Sequence, residues 1–169
     1  IARIMAPILS FTAEEIWGFM PGNQNKLQSI HMTSLPDGNP LLKDAVLAAK
    51  WAKILAVRSE VTKALEEARV AKRIGHPLDA AITISGQEVL YNELFPYEKE
   101  LRSIFIVSKV ILVKDQLLSH AFESSIVEGL KISVAVAEGK KCERCWVYDT
   151  AIGEDPDHPS ICPRCLKSL

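Results

Sequence analysis

The four cysteines of the chain fall in two pairs near its end, Cys142-Glu-Arg-Cys145 and Cys162-Pro-Arg-Cys165, with sixteen residues between them. Two Cys-x-x-Cys pairs at this separation have the spacing of a four-thiolate zinc site, in which each pair turns tightly around one ion and the two turns complete a tetrahedron. A full set of four thiolates leaves no position open for water or substrate, so such an ion holds structure and does not catalyse hydrolysis. Disulfides are the competing reading, but residues this close within a pair bridge poorly, and no cysteine precedes Cys142. His158 lies in the intervening loop and is read as a loop histidine, since four sulfurs already complete the coordination. The segment from Gly139 onward is too short for a self-sufficient core, so the metal is expected to supply much of its folding free energy, on the order of 10 kcal/mol or more.

Two residues on the first pair have chemistry of their own. Arg144 sits between two ligands, where a planar guanidinium is well held for bidentate contact with a base or phosphate. Trp146 follows at once, and an aromatic face there serves either an unpaired base or the small interior formed with Ile152, Ile161 and Leu166. Residues alone leave both readings open. Lys140, Lys141, Arg164 and Lys167 are candidate phosphate contacts, which position a nucleic acid without reading its sequence. Arg69, Lys72 and Arg73 crowd the end of a helical pattern, where cations favour the negative end of the helix dipole or meet a phosphate backbone.

Composition sets bounds on these readings. A formal net charge of −1 gives no general electrostatic argument for nucleic acid. Hydrophobic residues make up 48% of the chain, enough for a real core in one or two domains. No apolar run approaches the ~20 residues that span a bilayer, and the start lacks the order of a secretion signal, so a soluble chain is expected. Thiols arranged for metal point to a reducing compartment. The pattern at Ile1 is already helical, as in a fragment of a longer protein.

The elements that must position these residues follow from periodicity. Residues 2 to 20 read as helix with a break near Phe11, because Thr12-Ala-Glu-Glu15 has the form of a capping box, followed by Ile16, Trp17 and Phe19 as an apolar face. Pro21-Gly22 ends it, and a polar connection runs to Pro40, with Ile30 to Thr33 as a short extended piece. From Leu41 to Arg73 the residues Leu47, Trp51, Ile54, Leu55, Val61, Leu65 and Ala68 recur at helical steps, and Gly75 is the expected stop. Trp17 and Trp51 are assigned to core. Strands are predicted at 80–85, 109–113 and 131–137, and helices at 88–95 and 98–105.

Several of these segments resemble the carboxy-terminal portion of bacterial-type and organellar isoleucyl-tRNA synthetases. Ala6-Pro-Ile-Leu-Ser-Phe-Thr-Ala-Glu-Glu-Ile-Trp17 is similar to the signature of the helical anticodon-binding domain shared by the class I synthetases for isoleucine, valine, leucine and methionine. Ser29-Ile-His-Met-Thr-Ser-Leu-Pro-Asp37, Ala64-Leu-Glu-Glu-Ala-Arg69 with Ile74-Gly75, and Lys141-Cys-Glu-Arg-Cys-Trp146 are more particular to the isoleucine enzyme. The resemblance implies an α+β chain in three parts: the end of an all-α anticodon-binding bundle at 1–75, a small mixed α/β unit at 76–138 and a zinc knuckle at 139–169.

It implies, too, that a complete enzyme would activate isoleucine with ATP and magnesium, charge its tRNA and edit mischarged valine. Its nucleotide-binding motifs, His-x-Gly-His and Lys-Met-Ser-Lys-Ser, do not occur here, and Arg73-Ile-Gly-His76 lacks the first histidine, so no catalytic residue is expected. The implied partners are the anticodon stem-loop of isoleucine tRNA and the catalytic and editing domains of one monomeric polypeptide, in cytoplasm or an organellar matrix. With the resemblance, RNA contact is favoured for at least one of Arg144 and Trp146. A similar zinc module occurs in formamidopyrimidine-type DNA glycosylases, which also carry Cys-Pro-x-Cys, and a noncatalytic zinc-stabilised interaction module is a third reading.

Overall fold

The computed structural model describes residues 1–21 and 27–169. Their contacts group them into two compact units, Ile1–Ala45 and Val46–Leu169. No helix among the described residues is long and apolar enough to cross a membrane.

In the first unit, α1 (Ala2–Met5) and α2 (Ser10–Phe19) are separated by a turn at residues 6–9. The break therefore falls at Pro7, which has no amide to continue a helix, and not near Phe11. Consequently the expected capping box does not form. Thr12 is already inside the first turn of α2, and the cap position is Leu9, which makes no side-chain cap bond. The adjacent acid, Glu14, is engaged elsewhere, since its carboxylate accepts hydrogen bonds from Ser29 Oγ at 2.8 Å and from the Ile30 amide at 3.1 Å.

Those bonds turn Ile30–Met32 into a 3-10 turn instead of an extended piece, with Ser29 Oγ capping the His31 amide and Thr33 Oγ bonding the Ile30 carbonyl. Ala6, Ala13, Trp17 and Ile30 form the small core of this unit, and the Trp17 indole donates to the Leu27 carbonyl at 2.9 Å. Of the predicted apolar face only Trp17 is buried; Ile16 and Phe19 are exposed. Of the predicted Pro21-Gly22 stop, Gly22 lies outside the described residues. A second 3-10 turn, Pro40–Leu42, capped by Asn39, delays the next helix.

That helix, α3 (Ala45–Val70), buries Ile54, Val57, Val61, Ala64, Leu65 and Ala68, a stripe at three- and four-residue steps. Trp51 is outside the stripe. It is 38% exposed, and its ring tilts against Tyr97 with centroids 6.3 Å apart, so the core assignment does not hold. The helix also stops earlier than Gly75: Lys72 takes the left-handed conformation at φ 57°, and the Arg73 amide reaches back to the Ala68 carbonyl at 2.9 Å. A lysine here fills the role usually given to glycine. The following segment is held by Asp79, whose carboxylate accepts from the Gly75 and His76 amides at 3.1 and 2.7 Å.

Beyond it lies a four-stranded sheet in the order β2-β1-β4-β3, formed by β1 (Ala80–Gly86), β2 (Lys109–Lys114), β3 (Phe122–Glu123) and β4 (Lys131–Val136). β1 and β2 run parallel, which demands a crossover, supplied by α4 (Glu88–Leu94) and α5 (Glu98–Phe105); β4 is antiparallel to both β1 and β3. Ala80, Ile82 and Ile84 alternate with half-buried Ala81 and Thr83, so the buried positions of the sheet share one core with α3, Leu94, Leu101 and Phe105. The change of period at residue 75 separates helix from sheet along the chain, but packing joins them, and the division by contacts falls at 45/46.

Within this core Glu60 is 1% exposed, accepting from Ser124 Oγ at 2.7 Å and from Lys63 Nζ at 2.6 Å. Ser124 Oγ in turn accepts from the Val127 and Ile126 amides, so one carboxylate ties the 124–130 loop to α3. The hydrogen bond from Lys63, followed by that from Ser124, lowers the Glu60 pKa against the opposing effect of burial. A carboxyl lowered on folding stabilises above its unfolded pKa of about 4.3, and that contribution disappears as pH falls through the folded value. Glu60→Gln should therefore lower the melting temperature at pH 7, and the gap to wild type should close as the pH is taken below about 4, measured by thermal denaturation of both proteins across a pH series.

Candidate metal centre and nucleic-acid interface

The chain leaves β4 through Gly139 and forms a hairpin, β5 (Lys140–Lys141) against β6 (Tyr148–Asp149). Gly139 has φ 97°, and a Cβ on it would lie 2.4 Å from the Asp149 carbonyl, so only glycine fits. At the tip, the Cys142 amide bonds the Val147 carbonyl and the Trp146 amide bonds the Cys142 carbonyl, each at 2.9 Å. Trp146 adopts φ 65°, which closes the first knuckle. The second knuckle is the start of a short helix, α6 (Pro163–Leu166), with Cys162 at the cap position and Pro163 at the first helical position.

The two knuckles bring all four Sγ atoms within 4.8 Å of one another. Cys145 and Cys162 sulfurs are 3.6 Å apart, and the Cys162 amide points at Cys142 Sγ from 3.4 Å. A tetrahedral zinc with bonds of about 2.3 Å requires sulfur separations near ~3.8 Å, so the donor set fits that ion in both chemistry and size. None of the four is disulfide-bonded. Cys142, Cys162 and Cys165 are buried, and Ile152 and Ile161 pack around them.

Electrostatics explains why a cation is needed. Burial, reinforced by the Cys145, Cys162 and Cys142 sulfurs, pushes the Cys165 thiol up to about 12, and burial likewise raises Cys162. Cys142 goes the other way, to about 6: burial opposes its ionisation, but the amides of Cys145, Cys162 and Arg144 outweigh it by donating to the thiolate. Four neighbouring thiolates repel one another unless a divalent ion sits among them.

Around this centre the predicted cations divide into engaged and available groups. Arg144 donates to the Cys165 carbonyl at 3.0 Å, clasping the first knuckle to the second. Arg164 reaches Ser103 at 3.5 Å, and Arg73 donates to the Val134 carbonyl at 3.3 Å. Arg69 makes two bonds to Glu66 at 2.7 and 2.8 Å; these lower the Glu66 pKa and raise that of Arg69. Lys72, Lys140, Lys141 and Lys167 are exposed. Trp146 is 58% exposed, with the Lys141 ammonium 5.2 Å from its ring centroid. The interior of the module belongs to Val147 and Ile152 instead, each 5% exposed. His158 is exposed and its amide closes a turn on Asp155, away from the sulfur cluster.

Comparison with known proteins agrees with this geometry. Residues 139–167 match the zinc finger found in FPG and IleRS, a description that spans two groups of proteins. Residues 1–84 match the anticodon-binding domain of tRNA ligases, which separates them. The isoleucine–tRNA ligase of Geobacter sulfurreducens is 48% identical over 169 residues, all of this chain and 18% of its own length. Those of Syntrophotalea carbinolica and Desulfitobacterium hafniense are each 44% identical over 170 residues, again 18% of their length. The chain belongs to the isoleucine–tRNA ligase family. It spans about a fifth of the length of these relatives, and the glycosylase reading is not favoured.

One residue that positions the zinc hairpin lies outside every motif of the sequence. Ser108, 4% exposed at the head of β2, donates its hydroxyl to the Leu78 carbonyl at 2.5 Å and accepts from the Tyr148 amide at 2.8 Å, fastening the zinc hairpin to the sheet. A lone serine before a strand carries no signal of such a role; the long-range pairing is visible only once both segments are placed.

Replacing Cys142 by Ser should release the metal, read as loss of stoichiometric zinc by elemental analysis, and should abolish protease resistance of the 139–169 tail while the sheet core persists. Gly139→Ala should weaken zinc retention against a chelator by destabilising the hairpin by more than about 1 kcal/mol, since the left-handed φ and the clash with Asp149 act together.

Proposed function

We propose that this chain is the tRNA-facing, carboxy-terminal region of an isoleucine–tRNA ligase and that it holds the anticodon stem-loop of isoleucine tRNA. In this reading residues 1–75 end the helical anticodon-binding bundle, 76–138 form a junction, and 139–169 form the zinc module. The complete monomeric enzyme, in the bacterial cytoplasm, activates isoleucine with ATP and magnesium in a catalytic domain outside this chain; these residues supply no catalytic group.

The observation that carries the proposal is the mounting of Trp146. A large aromatic side chain left 58% exposed, on a knuckle stiffened by metal ligands on one side and by the Arg144 clasp on the other, has lost little freedom still to be lost on stacking with a base. Base–aromatic stacking contributes roughly 1 to 3 kcal/mol. Lys141 beside the ring, with Lys140, Arg164 and Lys167 on the same module, supports the adjoining phosphates, and Arg144 offers the remaining donors of its guanidinium. Zinc supplies rigidity and takes no part in chemistry on the RNA.

The test is binding of the zinc-loaded chain to isoleucine tRNA, an unrelated tRNA and a damaged DNA duplex over a salt series. Isoleucine tRNA should bind tightest, and Trp146→Ala should weaken it by roughly 5- to 100-fold with zinc content unchanged. Equal affinity for all three nucleic acids at every salt concentration would overturn the proposal, because that pattern is produced by backbone charge alone.

A further inference from the structure

Beside the zinc hairpin the structure contains a cleft of about 550 Å³ whose walls come from distant parts of the chain. One wall is the end of α3, with Arg69, Lys72 and Arg73; the other is Val136 of β4 and Tyr148 of the hairpin. Tyr148 was not singled out by its sequence context, and three features make it more than a passive wall. Val147 is 5% exposed, whereas its two chain neighbours are not buried: Tyr148 is half-buried and Trp146 is exposed. Lys141 is the cross-strand partner of Tyr148, and its ammonium lies 5.2 Å from the Trp146 ring centroid, so one residue neighbours both aromatic residues. The Tyr148 backbone is pinned by buried Ser108, which fixes where the ring begins.

The charge in the cleft suits an anion. Asp79 is its acid, already accepting from the Gly75 and His76 amides. Arg69 is balanced by Glu66, and Arg73 retains its positive charge while bonding the neutral Val134 carbonyl. Lys72 is exposed and makes no ion pair among the described residues. The negative end of α3 is blunted, because the Ala68 and Arg69 carbonyls are taken by the Arg73 and Lys72 amides at 2.9 Å each.

We propose that this cleft is a second nucleotide subsite of the RNA surface: Tyr148 offers a face to an unpaired base next to the one on Trp146, and Lys72 with Arg73 holds the intervening phosphate. Alternating aromatic faces and cations along one track is the pattern that receives single-stranded nucleic acid, since stacking and backbone neutralisation are needed at each step. The inference rests on the RNA reading given above.

The experiment measures binding of the zinc-loaded chain to the anticodon stem-loop of isoleucine tRNA over a salt series, for wild type, Trp146→Ala, Tyr148→Leu, Tyr148→Phe and Lys72→Met, with zinc content and melting temperature recorded for each. Tyr148→Leu should weaken binding on the order of 10-fold, and Tyr148→Phe, which keeps the ring, should stay within about twofold of wild type. Lys72→Met should reduce the slope of log K against log salt by about 0.7. If wild type fails to bind the stem-loop, the RNA reading itself fails. If Trp146→Ala weakens binding while Tyr148→Leu and Lys72→Met change neither affinity nor slope, the cleft alone is excluded as a subsite. Equal losses for Leu and Phe at position 148, with zinc retained, would remove the stacking role.

Discussion

The arrangement depends on mutual repulsion among four clustered sulfurs and its relief by one divalent ion. Without a cation the cluster cannot ionise together: burial and neighbouring sulfurs push Cys165 up to about 12, while Cys142, cradled by three amides, comes down to about 6. With a cation the same crowding becomes attraction, and the free energy of coordination folds a segment whose apolar content is Val147, Ile152, Ile161 and little else. The strain at Trp146, a bulky residue at φ 65°, is tolerated because the knuckle around it is closed by ligands and by two backbone hydrogen bonds. The closed knuckle places Val147 and Ile152 inside and leaves Trp146 58% exposed.

What could be read in advance was whatever depends on local spacing. Cys-x-x-Cys repeated at the right separation brought the ligand set together, and strands β1, β2 and β4 were visible as short runs of Ile and Val. The errors share a different cause. Thr12-Ala-Glu-Glu15 has the form of a capping box, but Pro7 moves the break upstream and Glu14 is recruited by Ser29 and Ile30. Ile30 to Thr33 has strand-like residues, yet that same carboxylate winds them into a 3-10 turn. Gly75 had the composition of a stop, while Lys72 made the left-handed turn. β3 is only Phe122–Glu123, too short for any period to show. In most of these a partner elsewhere in the chain overruled a local preference, and nothing in the local residues announces the partner.

The cations teach the same lesson about charge. Eight basic residues had the placement of phosphate contacts, yet Arg69, Arg73, Arg144 and Arg164 each have a partner in the folded chain. All eight are exposed, and among the described residues no side-chain hydrogen bond or ion pair engages Lys72, Lys140, Lys141 or Lys167. The division is physical: the guanidinium fork reaches carbonyls and carboxylates in fixed geometry, whereas an ammonium on a flexible stem stays hydrated. Arginines therefore serve as clasps with some donors to spare, and lysines as a diffuse field for a polyanion.

Rigidity at the knuckle is useful only if it is transmitted to the rest of the chain, because a stiff module on a loose hinge presents its aromatic face in no fixed direction. Two contacts provide the transmission. Ser108 joins the Leu78 carbonyl to the Tyr148 amide, and Arg164 reaches Ser103 on α5, so the hairpin and the second knuckle are each tied to the α/β core independently. The Ser108 bridge is buried and short, and it connects backbone to backbone through one hydroxyl, so water competes with it poorly. The exposed Arg164 contact at 3.5 Å is the weaker of the two. The hairpin bearing Trp146 and Tyr148 is accordingly the better anchored half of the zinc module, and the direction in which those rings face is set by the sheet as much as by the metal.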